Sequence, residues 1–169
     1  MNESQNAKGE YALYENGKLI SYSPVTLIGP IKVVNKYISN VNALIAAARK
    51  DNISLVLDSG FRTWDEQYAL RKQNVIDKTK IFNSNYLCTA NNGLFNPRTG
   101  MPGYSNHQNG DAYDFNVNLP GTYKWMVHNA IQYGWVRTVE SERWHWQYLP
   151  HMDKFSFVHQ DDPTWDGLV

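Results

Sequence analysis

The stretch that most constrains this chain is Ser105-Asn106-His107-Gln108-Asn109-Gly110-Asp111-Ala112-Tyr113-Asp114-Phe115, in which an imidazole is followed seven residues later by a carboxylate. From Asp111 to Val117 the residues alternate with the two-residue period of a strand: Tyr113, Phe115 and Val117 share one face, and Ala112, Asp114 and Asn116 the other. Asp114 therefore lies opposite the apolar stripe. Downstream, Trp144-His145-Trp146-Gln147-Tyr148 repeats the arrangement, with the three aromatics on one face and His145 and Gln147 on the other. A fold that satisfies both segments buries two aromatic stripes and turns one metal-capable side chain of each strand away from them.

Two imidazoles and one carboxylate are the protein ligands of a catalytic zinc site, in which a fourth position is left for water. Glu142, three residues before His145, is the candidate general base. Zinc lowers the pKa of a bound water to about 7, and a nearby carboxylate takes its remaining proton as that water attacks a carbonyl. In a regular strand an offset of three would put Glu142 and His145 on opposite faces. A turn or bend through Glu140 to Arg143 is therefore expected.

Ser105-x-His107-x-x-Gly110-x-Ala112-x-Asp114 and Glu142-x-Trp144-His145 resemble the two zinc motifs of the D-alanyl-D-alanine carboxypeptidases and dipeptidases of vancomycin resistance. The same metallopeptidase group includes phage endolysin peptidases and the hedgehog signalling domain. The resemblance extends to Ser59-Gly60-Phe61-Arg62-Thr63 and Gln67, and so covers roughly Asn35 to Pro150. It implies one Zn2+ per chain on His107, Asp114 and His145, with Glu142 as general base. Arg62 would hold the substrate or its oxyanion, and Ser105 and Gln67 would contact substrate. The implied substrate is the peptide stem of peptidoglycan, cut next to a D-amino acid. Whether a terminal D-alanine is removed or the stem is cut internally, as endolysins do between L-alanine and D-glutamate, stays open. Trp-His-Trp in the second motif favours the carboxypeptidase, and the absence of a signal-like segment favours the lytic enzyme. A zinc-containing wall-binding module without catalysis is the alternative of another class; Glu142 and Arg62, both present, argue against it.

The expected architecture is α+β: a small antiparallel sheet flanked by helices, with the zinc site on the open face of the sheet. A chain of 169 residues is long enough for one domain with one core. Sixteen basic residues balance sixteen acidic ones, which points to no general nucleic-acid or membrane-surface partner, and a monomer is expected. Cys88 is alone, so no intramolecular disulfide is possible. Met1 to Glu10 lacks the apolar run of a signal peptide, and no stretch reaches membrane-spanning length. The chain is expected to act on the bacterial cell wall, made in the cytoplasm with phage-type release or freed of a leader.

Three segments are expected: an N-terminal hairpin extension over 1–34, a peptidase core over 35–150 and a tail over 151–169. Asn16-Gly17 between alternating residues predicts a hairpin from Tyr11 to Ser23, as an edge addition to the sheet or a wall-contacting surface. Pro24 and Gly29-Pro30 read as punctuation on the path into the first helix. Ile38, Val41, Ile45 and Ala48 predict a helix over Asn35 to Lys50, and Ser54 to Asp58 reads as a buried strand. Thr63-Trp64-Asp65-Glu66 has the form of a capping box, starting a second helix that runs to about Gln73. Asn74 to Gly103 reads as a long polar loop, a candidate border of the substrate groove. A third helix is expected over Thr122 to Tyr133, with Thr122 as N-cap and Gly134 as its stop. His128, His151 and His159 have no partners at ligand spacing. No Gly-x-Ser-x-Gly elbow supports a nucleophilic serine.

Overall fold

The computed structural model describes residues 4–74 and 99–151. Cys88, His159, most of the expected 74–103 loop and nearly all of the expected tail lie outside the described residues. Strands β1 (Tyr11–Glu15) and β2 (Lys18–Ser23) form the expected hairpin, closed by Asn16 and Gly17. Both turn residues have positive φ, 50° and 77°, as a tight two-residue hairpin turn requires. The hairpin is a separate two-stranded sheet and does not extend the edge of the central one.

A second hairpin follows that the sequence reading missed. Strands β3 (Val25–Ile28) and β4 (Ile31–Val34) pair antiparallel about Gly29 and Pro30. The signal was present: β-branched and aliphatic residues lie on both sides of a Gly-Pro turn. Val33 and Val34 are wholly buried, Val33 within the main core, so the expected extension reaches into that core.

A short 3₁₀ turn over Asn35–Tyr37 leads into α1 (Ile38–Lys50), which buries Val41, Leu44, Ala47 and Ala48. Ile38 and Ile45, the other predicted contacts, are partly buried against the same core. The next strand, β5 (Leu57–Ser59), starts later than expected, and Val56 is 44% exposed because only one face of this segment meets the core. Helix α2 (Trp64–Gln73) opens with the expected capping box: the Thr63 hydroxyl accepts from the Glu66 amide, and the Glu66 carboxylate accepts from the Thr63 amide at 2.8 Å.

Past the undescribed segment come the four-residue helix α3 (Asn106–Asn109), strand β6 (Ala112–Phe115) and helix α4 (Thr122–Asn129), which tightens into a 3₁₀ turn before Gly134. The N-cap of α4 is Gly121, not Thr122; the Thr122 hydroxyl instead donates to the Ser54 carbonyl at 3.2 Å, tying the helix to the chain before β5. Strands β7 (Trp135–Val136) and β8 (His145–Tyr148) complete an antiparallel sheet of order β5-β6-β8-β7.

The expected α+β architecture is therefore present. One face of this sheet carries Tyr113, Phe115 and Trp146 into a core shared with α1 and α4. Trp135 stacks edge-on against Tyr113, Phe115 and Tyr148 within it. Trp144, expected on the buried stripe, precedes the strand and is 37% exposed.

Candidate metal centre

The cross-strand register decides the site. Asp114 on β6 is paired directly with His145 on β8, and Ala112 with Gln147, so these side chains share the sheet face opposite the aromatic core. Helix α3 brings in the third group. His107 sits in its first turn, and Gly110, with φ 89°, stops the helix and turns the chain into β6.

One potential ligand atom from each of His107, Asp114 and His145 lies within 4.8 Å of the others. His107 Nε2 is 3.4 Å from Asp114 Oδ1, and His145 Nδ1 is 3.1 Å from the same oxygen. Ligands at zinc-like bond lengths on a tetrahedron are about 3.3 Å apart, so the spacing suits a first-row divalent ion. Among the described residues this is the one cluster of three or more His, Cys, Asp or Glu side chains with such spacing.

Protonation states agree with that use. The second ring nitrogen of His107, Nδ1, lies 2.9 Å from the Gly60 carbonyl; as the donor there it leaves a lone pair on Nε2, the nitrogen facing Asp114. Burial pushes the His107 imidazolium down more than its bond to Asp114 pushes it up, which keeps the ring neutral. Burial alone would raise Asp114, but its bonds to His107 and His145 outweigh that and hold the carboxyl far below the usual range. His145 turns Nδ1 inward; its Nε2 is buried and makes no hydrogen bond to the described residues. His107 Nε2 and His145 Nδ1 thus converge on one oxygen of an ionised carboxylate, a donor set that fits Zn2+.

Glu142 stands beside the trio, with Oε2 3.9 Å from His145 Nδ1. The expected turn is present: the Glu142 amide donates to the Val139 carbonyl at 3.1 Å, and the His145 amide to the Glu142 carbonyl at 3.2 Å. These successive turns cancel the opposite-face problem and bring both side chains to one place.

Arg62 approaches from the other side. Its backbone amide donates to the His107 carbonyl at 3.1 Å, and its Nη2 lies 3.9 Å from Asp114 Oδ2. Burial depresses the guanidinium pKa, while Asp114 and Glu142 oppose that shift. Gln67, fully buried, accepts from Arg62 Nη1 and donates to the Gly100 carbonyl, both at 2.8 Å. Its amide is spent on placing Arg62. Ser105 holds the N-cap position of α3, but its side chain caps nothing, and the residue is half-buried.

Two contributors escaped sequence reasoning. Gly60 orients His107 through its carbonyl, and a side chain there would run into the Lys32 carbonyl and, at 2.6 Å, Ile31 Cγ2. Gln147, two residues past His145, bridges Asn106 and Asp111 at 3.0 Å each. The only cue for Gln147 was its place on the polar face of the second motif. His128 bonds the Lys124 carbonyl within its own helix, away from the trio.

A mixed domain whose small antiparallel sheet presents a His–Asp–His centre, with a carboxylate and a guanidinium at its margin, defines a metallopeptidase-like class. The profile of the family VanY, D-alanyl-D-alanine carboxypeptidase, matches residues 30–151, and the chain belongs to that family. A D-alanyl-D-alanine carboxypeptidase of Enterococcus faecalis is 28% identical over 122 residues, covering 63% of this chain and 44% of the relative. The chain thus spans less than half the length of that relative.

Among solved structures, a vancomycin-resistance D,D-pentapeptidase VanY in complex with Zn(II) superposes with a TM-score of 0.59 at 22% identity, over 81% of this chain and 86% of the other. VanYB in complex with D-alanine-D-alanine gives 0.60 at 22% identity, over 81% and 84%. An L,D-carboxypeptidase, LdcB, gives 0.51 at 22% identity, over 70% and 59%. These likenesses establish the fold.

Proposed function

We propose that the chain is a zinc-dependent peptidoglycan peptidase that removes a terminal D-amino acid from the stem peptide, as a D,D-carboxypeptidase does. The observation that carries this reading is the convergence of His107, Asp114 and His145, with Glu142 next to them and Arg62 facing Asp114. His107 Nε2, Asp114 Oδ1 and His145 Nδ1 would hold one Zn2+. Bound there, zinc supplies Lewis acidity, making a water acidic near neutral pH and drawing charge from a carbonyl oxygen.

The remaining chemistry belongs to the chain. Glu142 takes the proton of the attacking water and later delivers it to the leaving amine. Arg62, partly desolvated and oriented by Gln67, binds the substrate's terminal carboxylate or the developing oxyanion with charge-assisted hydrogen bonds. The Ser105 hydroxyl, free of capping duty, contacts the peptide beside His107. All of these groups fall within the expected core, residues 35–150. The chain would work as a monomer on the bacterial cell wall, with no nucleic-acid partner; among the described residues no helix is long and apolar enough to cross a membrane.

Removal of a terminal residue is favoured over a cut inside the stem because the matched family is one of carboxypeptidases. Mass spectrometry of muropeptides after digestion tests it. Loss of one alanine mass, abolished by a chelator and restored by zinc, is expected; release of whole stem peptides would move the assignment to an endopeptidase. No change of any muropeptide by the zinc-loaded protein would leave a binding module.

A further inference from the structure

We propose that the N-terminal hairpin β1–β2 is a positioning element for the substrate side of the site, acting through Gly103 on Ser105. The role of Ser105 rests on the peptidase reading above. The hairpin lies before residue 30, where the family match begins, yet β1 packs against α3, the helix that carries His107.

Its turn makes the decisive contact. The Gly17 amide donates to the Gly103 carbonyl at 2.8 Å, and the Gly103 amide donates to Gln108 Oε1 at 2.6 Å. Gly103 is therefore held through both of its backbone polar groups, by the hairpin turn on one side and by a fully buried neighbour of His107 on the other. The approach is too close for side chains. A Cβ on Gly17 would lie 2.7 Å from the Tyr104 hydroxyl, and one on Gly103 would lie 3.0 Å from Gly17 Cα and 2.7 Å from the Trp64 ring. Tyr14 on β1 packs against that same Trp64 ring at 4.9 Å.

Gly103 and Tyr104 immediately precede Ser105. Three residues earlier, the Gly100 carbonyl takes the Gln67 amide that orients Arg62. The clamp thus acts on the groups that would touch substrate. His107 is held separately, by the Gly60 carbonyl, so metal binding should not depend on the hairpin.

A matched control exists within the chain. Gly9 has φ 76°, the same left-handed backbone as Gly17 at 77°, but a Cβ there meets no atom within 4 Å. Gly17→Val and Gly9→Val in the full chain therefore carry similar backbone strain, and only the first disturbs the clamp. Both should be compared with wild type for D-alanine release, zinc affinity by chelator competition, and hydrogen exchange of residues 100–110. For Gly17→Val we expect KM to rise about tenfold with kcat within about twofold, because misplacing a substrate contact weakens binding more than chemistry. Exchange at 100–110 should rise and zinc affinity stay unchanged, with Gly9→Val at wild-type values throughout. Equal KM in Gly17→Val and wild type, or the same rise in Gly9→Val, would overturn the inference. Unchanged exchange at 100–110 would also overturn it, even if the wild-type protein releases no D-alanine and the peptidase reading itself has failed.

Discussion

The two sides of the site are held by different kinds of structure. His107, Asp114 and His145 stand on the central sheet or against its backbone: a ladder pair sets two of them, and the Gly60 carbonyl orients the third. Arg62 and Ser105 depend on side-chain bonds and on a loop pinned from three directions, by Gln67, by Gln108 and by the hairpin turn. On the proposed reading, the difference teaches that the metal ligands are fixed by the core, whereas the substrate contacts would be placed from outside it. Substitutions should separate the two properties.

The largest effect is expected at the trio. Replacing His107 with Ala should lower zinc affinity by more than about 100-fold, since losing an outer partner of a ligand already costs 10–100-fold. Retention of tight zinc binding, measured by chelator competition, would break the contrast at its stronger end. Next comes Glu142, which touches the trio but is not one of its ligands. Glu142→Gln should lower kcat by about 10²–10⁴-fold while zinc stays bound, and equal turnover in wild type and variant would remove it as the base.

Gln67→Ala attacks the adjustable side. It strips a bond from Arg62 and one from the Gly100 carbonyl, which should cost about 1–3 kcal/mol of stability and raise KM with little change in zinc affinity. A lost metal would show that the two sides are one unit.

The smallest effect lies at the start of α2, where Glu66 bonds both Lys32 and the Thr63 amide. Burial would raise the Glu66 carboxyl, but these bonds outweigh it and place it below its ordinary 4.5. A depressed carboxyl contributes stability that is full above the unfolded-state pKa and lost as pH falls through the folded-state one. The Glu66→Gln variant should therefore melt slightly below wild type at pH 7, by a few tenths of a kcal/mol for so exposed a pair. The gap should close as pH drops below about 4, a course that thermal melts across pH would follow.

Much of the site was legible because its signals are local. The strand parity of Asp114 and His145 follows from a period of two, and the Thr63–Glu66 box from an offset of three. The bend at Glu142 was required by the conflict between its spacing and that parity. Less legible were features that need a partner far along the chain. The buried role of Gln67 depends on partners outside its own helix: Arg62, five residues back, and Gly100, thirty-three ahead. Trp144 kept the parity of a buried stripe, but the strand begins one residue later, where the turn from Glu142 releases the chain.

The amino-acid sequence by itself determined which residue types could meet a metal, which face of each strand they occupy and where the helices begin, because propensity, period and capping act over a few neighbouring residues. Only the tertiary structure decided that Asp114 pairs with His145, that the Gly60 carbonyl selects the His107 tautomer and that a hairpin outside the matched region braces the loop before Ser105. Those contacts join residues tens of positions apart, and they form only when burial of the shared core brings their backbones together.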